Sequence, residues 1–165
     1  MIISILMAGG TIWLVSARKT ADINATKTLI SVLHEGCQTY YARYRSYPPS
    51  DVTKDNKYKG SQNLHYYLGA ELKEDISHST DPSAPKMSKT NEPIISFKSE
   101  WLEGKPKDHT LDKNKPRYVI DTWEHKIIYK NPHPDNKRSF LIMSYGPNGI
   151  KDEKDDIYDI EMPAK

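Results

Sequence analysis

The residues best suited to bind a ligand lie near the carboxyl end, in Ser144 to Ile157, SYGPNGIKDEKDDI. A Gly-Pro-Asn-Gly turn is followed there by a concentration of acidic side chains: Asp152, Glu153, Asp155, Asp156 and, just beyond the segment, Asp159. Calcium takes about six to eight oxygen ligands, and a turn that leads into an acidic loop can wrap them around one ion. A solvated acidic tail is the competing interpretation, and from spacing alone it is the commoner outcome for a charge run.

We predict a Ca²⁺ site in which side-chain oxygens and backbone carbonyls share the coordination. A tight turn flanked by glycines points several carbonyl groups inward, so main-chain oxygens can complete the shell. The twelve-residue ligand spacing of an EF-hand is absent, so the predicted site is of another kind. The predicted ligands are the side chains of Asn148, Glu153, Asp155 and Asp156 and the carbonyl oxygens of Tyr145 and Ile150.

A long amino-terminal helix is predicted to carry the domain that holds this loop. Residues 2–17 contain no charged side chain, and as a helix they would reach roughly 25 Å, a little short of the ~30 Å hydrocarbon core of a membrane. A cleaved signal peptide is the alternative, but no basic residue precedes the apolar run. We therefore predict that residues 1–17 enter a membrane or a filament core.

The second half of the helix, residues 18–46, is amphipathic. Apolar or aromatic residues recur at heptad-like spacing, which predicts one buried face. The helix should end near Ser46, because Tyr47-Pro48-Pro49 cannot continue it. The residues of the stripe are Ile23, Ile30, Leu33, Cys37, Tyr40, Tyr41 and Tyr44.

The rest of the chain predicts a small antiparallel sheet, and the fold class is therefore α+β. Residues 47–92 are predicted to form loops and one short helix, Gln62 to Leu72. Residues 93–165 hold segments of strand character separated by turn-forming residues. The predicted strands are Pro93 to Lys98, Arg117 to Asp121, Lys126 to Lys130 and Ser139 to Tyr145. The domain organisation is thus residues 1–17 as the apolar half-helix and residues 18–165 as one globular domain.

Composition and motifs argue against a catalytic or nucleic-acid-binding role. The formal net charge is +2 with both signs interspersed, which does not predict a nucleic-acid partner. The six histidines are scattered without a zinc-binding pair, and no nucleophile motif such as GxSxG occurs. Cys37 is the single cysteine, so an intrachain disulfide is excluded. We predict that the chain is not an enzyme.

Several of these segments resemble the bacterial type II secretion major (G-type) pseudopilins and related type IV pilin-like proteins. Ser144 to Ile157 is similar to the family's Gly-Pro-Asp-Gly turn followed by Asp-Asp-Ile. Tyr44 to Pro49 looks like the end of its long helix, and Asp121 to Lys130 is similar to its Asp-Pro-Trp-Gly strand pair. Asn63 to Gly69 and Pro93 to Leu102 resemble the middle of pseudopilin-like proteins.

The resemblance implies a pilin-like fold and a structural subunit of a secretion pseudopilus or type IV pilus-like filament. Its partners would be other pseudopilin subunits, inner-membrane assembly proteins and the membrane itself, through the amino-terminal helix. Such a protein is anchored once in the inner (cytoplasmic) membrane, with its globular domain periplasmic. The alternative is a membrane-tethered pilin-like protein that binds DNA, peptide or glycan and does not polymerise.

The sequence departs from the family at both ends. Asn148 stands where the family usually has aspartate, which removes one charge from the loop and should weaken calcium binding. The Lys/Arg-Gly and Phe-Thr-Leu-Ile-Glu-like run of a prepilin leader does not occur in the sequence. We expect either a truncated start or a degenerate member. Arg18 and Lys19, taken alone, would favour the opposite membrane orientation.

Overall fold

One long helix, α1, forms the amino-terminal part of the molecule. The structure, a computed structural model, describes residues 3–52, 57–69, 93–104, 116–151 and 154–158, with side chains described from residue 16 onward. Helix α1 spans Ile3–Tyr44, 42 residues. It ends two residues before the predicted Ser46, because Arg45 adopts a left-handed backbone conformation with φ of 58°. The Arg45 N–H still donates to the Tyr41 carbonyl at 2.8 Å and closes the last turn.

The described side chains of α1, from residue 16 onward, show one buried face. Residues 16–21 are exposed, Ile23 is partly buried against the core, and Thr26 is the first fully buried residue of this described part. From there the buried apolar positions recur three or four residues apart, as one helical face requires. They are Leu29, Ile30, Leu33, Cys37 and Tyr40. The predicted stripe is confirmed at most positions, although Tyr41 is 40% exposed.

A short helix, α2, packs across α1 where a glycine allows close approach. It spans Ser61–Leu68 and buries Leu64 and Leu68. A Cβ atom at Gly36 of α1 would overlap the Ile95 side chain and lie 3.2 Å from Leu68. The predicted continuation to Leu72 is wrong at residue 69, where the chain is extended, and residues 70–72 lie outside the described ranges.

The sheet has three antiparallel strands in the order β1-β2-β3. They are β1, Ile128–Lys130, β2, Leu141–Ser144, and β3, Ile157–Tyr158. Every residue of the central strand β2 is buried. Because α1 packs against β2 and β3, the α+β arrangement predicted from the sequence, a long helix on a small antiparallel sheet, is confirmed.

The segment Pro93 to Lys98 is not a strand, which corrects the sequence-based prediction. The N–H groups of Ile94 and Ile95 both donate to the Leu68 carbonyl, at 3.0 and 2.9 Å, so this segment is held by the end of α2 and not by a strand partner. A 3₁₀ turn follows at Ser99–Trp101. The predicted strand Arg117 to Asp121 is reduced to two isolated antiparallel bridges, Leu102 with Val119 and Ile120 with Lys126.

Among the described residues, no helix combines the length and apolarity needed to cross a membrane. The predicted apolar segment, residues 1–17, lies almost entirely outside the residues whose side chains are described, and its place in a membrane or filament core stays a prediction.

Candidate metal site in the carboxy-terminal loop

The loop from Tyr145 to Asp156 is closed at its base by two paired strands. Ser144, the last residue of β2, is the register partner of Ile157, the first residue of β3. The chain positions at the two ends of the loop, 145 and 156, are consequently adjacent. Strand β3 is not predictable from the sequence, because a two-residue strand has no periodic pattern. The signal for it is Ile157, the buried member of the pair, which is an isolated apolar residue after the acidic run.

Two glycines shape the first half of the loop. Gly146 and Gly149 have φ values of 68° and 69°, in the left-handed region that glycine adopts without steric cost. The Gly149 N–H donates to the Gly146 carbonyl at 3.3 Å and closes the Gly-Pro-Asn-Gly turn. A Cβ atom on Gly146 would overlap the Asp155 carbonyl and lie 3.2 Å from its carboxylate oxygen Oδ2. The glycine therefore lets the turn lie directly against the acidic segment.

The structure brings Asn148 and Asp155 together. Nδ2 of Asn148 donates to Oδ1 of Asp155 at 3.4 Å, and Oδ1 of Asn148 accepts the Ile150 N–H at 2.8 Å. The Asn148 amide N–H group thus occupies the side of the Asp155 carboxylate that a cation would approach. This contact connects the turn to the acidic segment across seven residues of sequence.

Asp156 adds a second carboxylate, and its Oδ1 atom is buried from solvent. Its Oδ2 atom accepts a hydrogen bond of 3.4 Å from the Tyr158 hydroxyl. Tyr145 is half-buried and Ile150 is 55% exposed, both within the same loop. Glu153, the remaining predicted ligand, lies outside the described residues.

By type, the predicted ligands fit a hard cation, because each of them carries an oxygen atom. As arranged here, Asn148 directs Nδ2 at Asp155 and its Oδ1 accepts the Ile150 N–H, so the amide group would have to turn to offer its oxygen to an ion. Two carboxylates and one amide from this loop, with carbonyl groups from the turn, are the ligand types that Ca²⁺ prefers. In the described parts of the chain, no group of three or more His, Cys, Asp or Glu side chains is clustered as a metal site. Any ion held here would therefore depend on Asn148 and on main-chain oxygens as well as on Asp155 and Asp156.

A buried carboxylate outside the loop holds the turn in place, and sequence analysis did not assign it this role. Asp121 is 3% exposed, and its Oδ2 atom accepts the Ser144 hydroxyl at 2.6 Å. The Ser144 oxygen in turn accepts the Gly146 N–H at 3.0 Å. On the other side of the turn, Nδ1 of His125 lies 3.0 Å from the Gly146 carbonyl. The signal in the sequence was Asp121 at the start of the Asp-Thr-Trp-Glu turn.

No protein-family model matches the sequence, and no curated protein is significantly similar to it. Among solved structures, the chain is similar to the major pseudopilin from the type 2 secretion system of enterohaemorrhagic Escherichia coli, with 17% sequence identity and a TM-score of 0.42. The match covers 88% of this chain and 92% of that one.

Proposed function

We propose that the chain is a structural subunit of a type II secretion pseudopilus or a type IV pilus-like filament. The observation that carries the proposal is the length of α1 that precedes its described contacts with the domain. The helix begins at Ile3, and among the residues whose side chains are described, from 16 onward, the first that contacts the core is Ile23; residues 3–22 span about 30 Å at 1.5 Å per residue. A helix of this length needs a neighbour or a lipid phase to cover its uncharged sequence, residues 2–17.

Packing of the projecting helix against copies of itself supplies that neighbour. A helix that projects from one side of a domain makes contacts between different surfaces of successive copies, and such contacts generate open helical filaments. Before assembly the subunit is held at the inner membrane with its domain outside the cytoplasm. Elongation of the filament then pushes cargo outward or builds a pilus, so the subunit itself performs no catalysis.

The carboxy-terminal loop is proposed to bind Ca²⁺ and thereby stabilise the domain. Supporting the proposal are the oxygen-bearing side chains of the loop and the proximity of Asn148 to Asp155, which the glycine turn brings together. An ion would neutralise the Asp155 carboxylate, which the turn contacts, and the neighbouring carboxylate of Asp156. With an amide in place of a third carboxylate, binding is expected at the millimolar levels of extracytoplasmic fluids.

The filament proposal is tested on the full chain in a mild detergent. The variant Ala21→Pro removes one helical hydrogen bond at an exposed position just before the core contacts, whereas Ala21→Leu leaves the helix intact and is the matched control. Electron microscopy and cross-linking after detergent removal should reveal filaments and an extended ladder of oligomers for the parent and the control. Ala21→Pro should lose both while its domain keeps the parent's melting temperature.

A monomer that forms no ladder under any of these conditions would contradict the filament and favour the tethered binding protein. The calcium part of the proposal is tested separately, by the melting temperature in excess chelator and in millimolar Ca²⁺. A ligand that binds only the folded state raises the melting temperature. An unchanged value, with Mg²⁺ as the control ion, would remove the site from the proposal.

A further inference from the structure

The carboxylate of Asp121 connects the turn after residue 121 to the start of the carboxy-terminal loop. Its Oδ1 atom accepts the N–H groups of Trp123 and His125, both at 2.9 Å, which fixes the turn between them. Its Oδ2 atom accepts the Ser144 hydroxyl at 2.6 Å. Both oxygens are thus used, one on each side, and a buried carboxylate that satisfies two elements at once holds them in fixed relation.

The hydrogen bonds continue from this carboxylate to both polar groups of one loop residue. The Ser144 oxygen, which donates its hydrogen to Asp121, also accepts the Gly146 N–H. His125 donates its backbone N–H to Asp121, and its Nδ1 atom contacts the Gly146 carbonyl. The N–H and the carbonyl of Gly146 are therefore each held by a separate hydrogen bond. Because Gly146 lies in direct contact with Asp155, its position determines how the turn meets the acidic segment.

The same turn is attached to α1, so the loop is fixed relative to the helix. Thr122 donates its hydroxyl hydrogen to the Asp22 carbonyl at 3.1 Å, and its N–H lies 3.4 Å from Oγ1 of the fully buried Thr26. Thr122, which makes these contacts, directly follows Asp121 in the chain. The carboxylate consequently lies between the helix and the loop, and its two oxygens join the Trp123 turn to the end of β2.

We propose that Asp121 is the positioning residue of the cation site, acting through Ser144 and His125 on Gly146 without touching the ion. The inference rests on the calcium-binding loop proposed above. In the folded protein the carboxylate holds the turn so that Gly146 and the Asn148 side chain lie against Asp155 before the ion arrives. An ion then binds without the cost of ordering the turn.

The test measures Ca²⁺ affinity of the full chain by calorimetry, and Tb³⁺ luminescence sensitised by loop tyrosines as an independent readout. Ser144→Ala removes the hydroxyl that links Asp121 to the Gly146 N–H and leaves the link through His125. Ser61→Ala is the matched control, because Ser61 is equally buried and its hydroxyl donates to the Val119 carbonyl at 3.2 Å, outside this network. Loss of a partner that orients metal ligands typically weakens binding about 10- to 100-fold. We expect at least a tenfold weaker Kd for Ser144→Ala and a Kd within about twofold of the parent for Ser61→Ala.

The melting temperature in excess chelator measures the effect of each substitution on the stability of the ion-free domain, separately from its effect on Ca²⁺ affinity. Both serine variants should lower the melting temperature, but only Ser144→Ala should lose affinity. His125→Ala, at a partly exposed side chain, is a second variant that should weaken binding without preventing folding. Parent-like affinity in Ser144→Ala and His125→Ala, with calcium still bound by the parent, would overturn the inference alone. A parent that binds neither Ca²⁺ nor Tb³⁺ would overturn the proposed site and the inference with it.

Discussion

His65 lies between helix α2 and the segment that begins at residue 116. Its Nδ1 atom accepts the Arg117 N–H at 2.9 Å, and its ring meets the Phe97 ring edge-on at 5.1 Å between centroids. A proton on Nδ1 would remove the hydrogen bond and place a positive charge in a largely desolvated position. Burial, with a smaller contribution from the Arg117 charge, lowers the pKa of His65 from 6.5 to about 4.

This pKa shift predicts that acid destabilises the domain. The unfolded chain binds a proton at His65 near pH 6.5, whereas the folded domain does not until about pH 4. Between these values the unfolded state holds more protons, so the free energy of unfolding falls as the pH falls. The His65 contribution is intact above pH 6.5, and its loss amounts to about 2 kcal/mol by pH 5 and about 3 kcal/mol by pH 4.

The variant His65→Asn isolates this contribution. Asparagine keeps an acceptor oxygen near the position of Nδ1 but does not titrate in this range. Urea unfolding followed by circular dichroism, in chelator at pH 7, 6 and 5, gives the free energy of unfolding for each protein. The parent should lose about 2 kcal/mol more than His65→Asn between pH 7 and pH 5.

The control is His133→Asn. Nδ1 of His133 also accepts a backbone N–H, that of Asp135 at 3.0 Å, but in an exposed turn. This variant should keep the pH dependence of the parent. Parallel pH profiles for the parent and His65→Asn would refute the reasoning, because they would mean that His65 does not titrate differently on folding.

Three further perturbations follow from single contacts. Asn148→Asp should lower the melting temperature in chelator, because it replaces the hydrogen bond to Asp155 with carboxylate repulsion, yet bind Ca²⁺ about tenfold more tightly; the reverse order would contradict the ligand assignment. Glu124→Gly should raise the free energy of unfolding by about 1 kcal/mol, because Glu124 has φ of 65°; Glu124→Ala, which keeps the Cβ atom, should not. Tyr129→Phe should cost about 1 kcal/mol in urea unfolding by removing the hydrogen bond to the Pro48 carbonyl, and a stability equal to the parent's would show that this bond contributes nothing net.

The long helix could be predicted from the sequence because its pattern is local. Apolar residues three and four positions apart indicated one face, and the Tyr-Pro-Pro run indicated where the helix must end. The exact end depends on Arg45, whose left-handed conformation no propensity predicts. The strand predicted at Pro93 to Lys98 was wrong for a different reason. Its β-branched residues suit a strand, but the N–H groups of Ile94 and Ile95 donate to the Leu68 carbonyl instead of to a strand partner.

The candidate site shows the same division between local and long-range information. The oxygen-rich composition and the glycine turn are legible in the sequence, and they placed Asn148 and Asp155 in one loop. The carboxylate that holds the turn is not legible there, because Asp121 precedes Ser144 by 23 residues and reaches it only once the sheet has formed. Asp121 was visible as the start of a turn, since an aspartate commonly accepts the N–H groups that follow it. The partner of its second oxygen, the Ser144 hydroxyl, is determined only by the packing of β2 beside that turn.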